Sequence, residues 1–277
     1  MNHPRTILIT GCSSGIGAYC ARALKADGWR VFATARKPQD IAALKAEGIE
    51  TFYLDYREPE SIEALAADVL KATGGTLDAL FNNGGYAQPG AVEDVPVAAL
   101  REQFEANFFG WHDLTRRIVP VMRKQGHGRI VHCSSVLGIV PQKLRGAYNA
   151  SKFALEGLMQ TMRMELWQSG IKMSLIEPGS IESNIAVNAA AYADKYIDLT
   201  NSPHRAASEK RLAVLRSGGV KDRTKLGPEA IYKVLKQALN AASPKPHYVI
   251  TSPARTGVIL RRILPARLLY MLLAKSS

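Results

Sequence analysis

Cysteine is scarce in this chain: Cys12, Cys20 and Cys133 are the only three in 277 residues. Three thiols make no complete disulfide set and their spacing is not that of metal ligands. The six histidines are scattered, so a reduced compartment and no structural metal are expected. No basic-then-apolar leader precedes the first apolar stretch of MNHPRTILITG, which predicts a cytoplasmic protein rather than a secreted one. No Ser/Gly-rich linker, low-complexity tract or internal repeat divides the sequence, so one domain over 1–277 is expected. Acidic residues run short only near the end. Residues 1–204 carry 21 Lys and Arg against 21 Asp and Glu, whereas 205–277 carry 15 against 3. The formal charge of +12 therefore belongs to the C-terminal quarter. A basic patch interleaved with aromatics and a recognisable reading motif, the marks of a nucleic-acid binder, are both missing, so no nucleic-acid partner is expected.

What is present is an apolar fraction of 47%, enough for a sizeable core. Apolar strand-like runs alternate with helical patterns from Ile7 to about Ile176, which implies βαβ units and a parallel sheet. The first unit, TILITGCSSGIGAYCARALKADGWRVFATAR, reads strand, glycine turn, helix. Gly11, Gly15 and Gly17 let backbone turn tightly and approach a ligand, and the following helix start points unpaired N–H groups at an anion such as a pyrophosphate. The spacing G-x-x-x-G-x-G departs from the usual G-x-G-x-x-G. The second strand ends at Arg36, where a ribose-reading acid would favour NAD; an arginine there suits the 2′-phosphate of NADP.

Residues 148–152 read YNASK. On a helix, four residues place Tyr148 and Lys152 on one face. A neighbouring ammonium stabilises phenolate, so the pair predicts a tyrosine with a lowered pKa that works as acid or base.

T10-G-C-S-S-G-I-G17, N82-N-G-G85, Asn107 in EANFFG, Ser135 in IVHCSSVLG, YNASK and P178-G-S-I-E-S183 occur in this order, with thirteen residues from Ser135 to Tyr148. Together they resemble the short-chain dehydrogenase/reductase family, specifically over about 5–183 and only loosely beyond. VFATARKPQD, ANFFG and SLIEPG are similar to the branch of 17-beta-hydroxysteroid dehydrogenases, retinol dehydrogenases and bacterial aldehyde reductases. The resemblance implies a Rossmann-type α/β fold, a doubly wound parallel sheet of about seven strands, with a substrate lid over 184–226. It implies NADP(H) held by Gly11, Ser13, Ser14, Gly15, Ile16, Gly17, Arg36, Asp55, Tyr56, Asn82, Asn83, Gly84, Tyr148, Lys152, Pro178, Gly179, Ile181 and Ser183. The implied reaction interconverts a carbonyl and an alcohol on an apolar steroid, retinoid or aldehyde. Tyr148 would pass the proton, Lys152 lower its pKa and hold the nicotinamide ribose, Ser135 fix the carbonyl oxygen, and Asn107 hold a water linking Lys152 to solvent. Gly84 stands where the family usually has alanine, and Ser183 where it usually has threonine.

Two alternatives to an enzyme stay open: a catalytically idle NADP-binding sensor and a membrane-surface scaffold. His132, on the strand before Ser135, is expected to pack. Tyr192, Tyr196 and Ile197 line a pocket or form the core face of lid helices. LGPEAIYKVLKQAL predicts a helix and HYVIT a last strand. The basic, apolar tail 254–277 is too interrupted to span a bilayer. Its two short segments around Pro265 lie on an anionic membrane surface, cover the domain's own core, or meet a second copy in a homo-oligomer.

Overall fold

In the computed structural model, which describes residues 4–219 and 224–275, the run TILI forms β1 (Thr6–Ile9), buried along its whole length. The chain then alternates helix and strand as the pattern predicts: α1 (Gly15–Ala26), β2 (Arg30–Ala35), α2 (Pro38–Ala46), β3 (Glu50–Tyr53), α3 (Pro59–Ala72) and β4 (Ala79–Asn82). α4 (Val97–Phe104) passes through one π-helical turn, Glu105–Phe109, into α5 (Gly110–Gln125), and β5 (Gly128–Cys133) follows. Next come α6 (Gly146–Glu165), β6 (Ile171–Pro178), α7 (Ile185–Tyr196), α8 (Arg205–Arg216), α9 (Glu229–Asn240) and β7 (His247–Ile250). The tail forms α10 (Ser252–Ile263) and α11 (Ala266–Lys275).

The seven strands make one parallel sheet in the order β3-β2-β1-β4-β5-β6-β7. The inner strands are buried on both faces, which is why they read as continuous apolar runs rather than alternating ones. The order reverses between β1 and β4, so the loops after these two strands diverge and leave a crevice at the strands' C-terminal ends.

Helix starts follow local chemistry. Pro38 and Pro59 open α2 and α3, and Gly126, at φ 75°, ends α5 in the left-handed conformation that glycine tolerates. The expected lid becomes α7 and α8; its residues 220–223 lie outside the described residues, as do 276 and 277 of the tail. Ala186, Ala189, Ala190 and Ala193 bury one face of α7, and the Tyr192 ring stacks on Tyr86 with centroids 3.7 Å apart. The Tyr196 hydroxyl bonds Glu102. These two tyrosines are therefore spent on helix packing.

Among the described residues no helix is long and apolar enough to cross a membrane. In the tail, Ala254, Val258 and Leu269 are buried against the domain, while Ile259, Ile263, Leu268, Tyr270, Met271 and Leu272 are exposed.

Candidate active site

The crevice between the β1 and β4 loops is lined by Gly11, Ser13, Ser14, Gly15 and Ile16 from the glycine turn. Arg36 and Asp55 stand at the ends of β2 and β3, and Tyr56, Asn83 and Gly84 face them. Asn107, Ser135, Tyr148 and Lys152 close one end, and Pro178, Gly179, Ile181 and Ser183 the other side.

Thr10 stitches the switch point together. Its hydroxyl accepts from the Asn83 and Gly84 backbone N–H groups and from the Tyr56 hydroxyl, so three loops meet at one side chain. The sequence reading passed over Thr10, although it begins the quoted T-G-C-S-S-G-I-G run. Thr34 was missed too; its hydroxyl accepts from Gly11 N.

Two glycines work as expected and one differently. Gly11 and Gly15 sit at φ 70° and 56°, where a side chain would be strained. Gly17 is helical and does not line the crevice; a Cβ there would stand 2.2 Å from Gly11 O and 2.8 Å from the Asn83 amide. It permits close packing of α1 on the loop rather than ligand approach. Asn82 is likewise absent from the lining. It is fully buried, accepting from Tyr56 and donating to Thr115, beside His132. His132 packs as expected, stacked on Trp111, and burial depresses its pKa to about 3.

The N-terminus of α1 has no side-chain cap and no acid in its first turn. Its N–H groups therefore face the crevice without an internal acceptor, which fits the pyrophosphate of a dinucleotide. A Cβ on Gly15 would meet the Ser183 Cβ at 3.1 Å, so loop and Pro-Gly turn stand close across the same groove. The donor set and the bare backbone fit the cofactor that the sequence predicts. On the rim, Asp55 is bonded by Arg57 and has Arg36 at 3.7 Å. Although burial opposes it, this pairing holds Asp55 below the usual carboxylate range. Arg36 itself remains more than half exposed.

α6 carries Tyr148, Lys152 and Glu156 in one buried stripe, four residues apart each time. The Ser135 hydroxyl accepts from Leu137 N and lines the crevice together with Tyr148. Tyr148 is raised rather than lowered here, and Lys152 is not among the charges acting on it. Burial pushes Tyr148 up to about 12, with the Ser135 hydroxyl pulling the other way. Lys152 Nζ donates to Cys133 O at 2.9 Å and lies 4.1 Å from the Trp111 ring centre and 5.9 Å from that of Tyr148. Burial lowers Lys152 itself to about 8.

Asn107 sits in the π-helical turn, fully buried, and clamps Tyr86 by accepting from its N–H and donating to its carbonyl. Each end of the side-chain amide thus has one partner in the Tyr86 backbone. Trp111 donates to Gly84 O at 2.7 Å and fixes the glycine that replaces alanine. Tyr86 also lines the crevice; it follows the quoted NNGG run directly and no spacing rule singled it out.

The family model described as short chain dehydrogenase matches residues 5–193. The chain is 38% identical over 269 residues to the uncharacterized oxidoreductase YbbO of Escherichia coli, covering 97% of this chain and 94% of that one. It is 37% identical over 188 residues to human retinol dehydrogenase 8, covering 64% of this chain and 59% of that one. Among solved structures, a single-residue variant of actinorhodin polyketide ketoreductase with NADPH superposes with a TM-score of 0.71 at 26% identity, covering 89% of this chain and 95% of that one.

Proposed function

The chain belongs to the short-chain dehydrogenase family, and on that basis we propose that it interconverts a carbonyl and an alcohol with NADP(H), Tyr148 carrying the proton. The carrying observation is the Tyr148 phenol, buried and one helical turn from Lys152, lining one crevice with Ser135 and the bare glycine loop.

When bound, the cofactor supplies or takes the hydride. Everything else falls to the chain's own side chains. With its pKa raised to about 12, Tyr148 is protonated at neutral pH and ready to donate to a developing alkoxide. Ser135 Oγ, oriented by Leu137 N, gives a second contact to that oxygen. Lys152 and the Pro178–Ser183 turn would hold the nicotinamide end, and Gly11–Ile16 the pyrophosphate. Ala106, Ile185 and Tyr86 are among the apolar lining of the crevice, which supports a substrate with an apolar body such as an aldehyde, retinoid or steroid. The NADPH complex of a ketoreductase relative supports both cofactor and reaction direction.

Tyr148→Phe removes the proton donor and little contact area. It is expected to lower kcat for carbonyl reduction by at least ~100-fold while leaving NADPH affinity within about threefold. Steady-state rates with an aldehyde panel and fluorescence titration of NADPH test this. Near-normal turnover in the variant would remove Tyr148 from the chemistry, and a wild type that binds NADPH but reduces nothing would favour a nucleotide sensor.

A further inference from the structure

Three titratable side chains meet behind the crevice: Glu156 from α6, Glu177 from β6 and His247 from β7. One donor atom of each lies within 4.8 Å of the other two. His247 Nδ1 is 2.5 Å from Glu177 Oε1 and 3.9 Å from Glu156 Oε2. Both carboxyls are buried, whereas the imidazole reaches the surface at 34% exposure. Glu156 Oε2 accepts from Gln160, yet Glu156 Oε1 and Glu177 Oε2 are buried without a partner. Two adjacent buried carboxylates are costly unless a proton or a cation is shared between them. Burial, and then the charge of Glu177, push Glu156 up to about 7, and the bond to Glu177 raises His247. The further charge acting on the imidazole is Arg163 of α6.

This cluster borders both parts of the nicotinamide end. Glu177 directly precedes Pro178, which lines the crevice. Glu156 stands one helical turn beyond Lys152 on the buried stripe of α6. A Cβ on Gly138 would lie 2.9 Å from Glu156 Cγ, 3.0 Å from Lys152 O and 3.1 Å from Ser134 Oγ, so the Glu156 side chain folds back along the Lys152 turn beside Ser134. The Ser134 hydroxyl is buried without a partner and follows Cys133, whose carbonyl holds Lys152 Nζ. Glu156 is among the charges that favour the Lys152 ammonium against its burial. Among the described residues, the other groups facing that ammonium are the Cys133 thiol, His132 and the rings of Tyr148 and Trp111.

We propose that Glu156 is a positioning residue that acts through Lys152: with Glu177 and His247 it forms a proton-sharing cluster, open to solvent at His247, whose negative charge at alkaline pH keeps Lys152 an ammonium able to hold the nicotinamide ribose. The inference deepens the reductase reading and, for reaction rates, rests on it. As pH rises, Glu156 gives up its proton and a carboxylate stands one turn from the amine. The charged amine is then favoured, so Lys152 loses its proton later than burial alone would allow. A partly screened pair at this spacing is worth on the order of one pH unit.

The test follows kcat/KM for nonanal reduction and, separately, NADPH affinity by fluorescence titration, both from about pH 6 to about pH 10. Glu156→Gln is expected to move the alkaline midpoint of both profiles down by about one pH unit. Glu156→Asp keeps the charge and should keep the midpoint near the wild-type position even where rates fall. A merely structural role lowers both quantities by one factor at every pH; unmoved midpoints in a folded Glu156→Gln variant overturn the proposal. The wild type supplies a measurement that needs no variant: an infrared band of a protonated buried carboxyl should disappear between about pH 6 and about pH 8. Carboxyls ionised throughout that range overturn proton sharing. A stoichiometric divalent ion in the purified protein would make the three residues a metal site and overturn it as well. If no carbonyl is reduced but the NADPH midpoint still moves with Glu156, the cluster stands and the reductase reading fails. If reduction proceeds and neither midpoint moves, the reductase reading stands and the cluster fails.

Discussion

At the rim of the cofactor crevice, Arg36 has only a long contact to Asp55 while Arg57 makes the close one. Arg36 is therefore free to receive a 2′-phosphate. A charge-assisted bond of this kind is worth about 1.5–3 kcal/mol, or roughly tenfold to over a hundredfold in affinity. Arg36→Ala is expected to weaken NADPH by that factor and NADH far less, as read by titrating both. Equal losses would remove Arg36 from the phosphate. Lys152 makes a different prediction. Its folded-state pKa of about 8 lies below the ordinary value of 10.5, so between these two the unfolded chain binds a proton that the folded chain does not. Stability of the cofactor-free protein should therefore rise with pH from about 8 to 10.5 through this group, by on the order of 3 kcal/mol. Lys152→Met should flatten that rise and stabilise the protein at neutral pH, measured by urea unfolding across the window. An unchanged slope would mean that the lysine is hydrated rather than buried.

Elements decide which residue reaches the crevice. α1 packs on the glycine loop because Gly17 has no side chain, and the nearest atoms to a Cβ there are the backbone of Gly11 and the amide of Asn83. Backbone cannot give way as a flexible side-chain end can. Gly17→Ala is expected to cost about 1–3 kcal/mol of stability and to weaken cofactor binding by displacing the Gly11 turn. Thermal unfolding and NADPH titration check both, and a variant with unchanged melting and affinity would show that α1 can move away at little cost. The π-helical turn between α4 and α5 acts in a similar way, since it sets Asn107 facing inward to hold the loop at Tyr86.

Across the whole molecule, charge and apolar surface are segregated. The basic excess lies in the last quarter, and α10 and α11 leave an apolar outer face uncovered. Two of the basic side chains there are committed to the domain: Arg255 donates to Val249 O, and Arg261 lies 5.3 Å from the Phe153 ring centre. Arg262, Arg267 and Lys275 remain to face anionic headgroups, each worth about 1 kcal/mol near such a surface. The full chain is expected to co-sediment with phosphatidylserine vesicles at low salt and to be released at high salt, whereas a chain ending near Pro253 stays in the supernatant. Failure of the full chain to sediment would assign the exposed face to another partner, such as a second copy.

Local periods and fixed spacings were enough to read the alternating strands and helices, the glycine turn and the Tyr148–Lys152 helix face, and the resemblance of the ordered motifs pointed to the family. Short stretches carry such signals without help from the rest of the fold. They could not say which way Lys152 points, because Cys133 O and Trp111, which hold it, come from a strand and a helix far away in the chain. Nor could they separate Gly17 and Asn82, which pack, from Gly11 and Asn83, which line the crevice, since that depends on what lies across the fold.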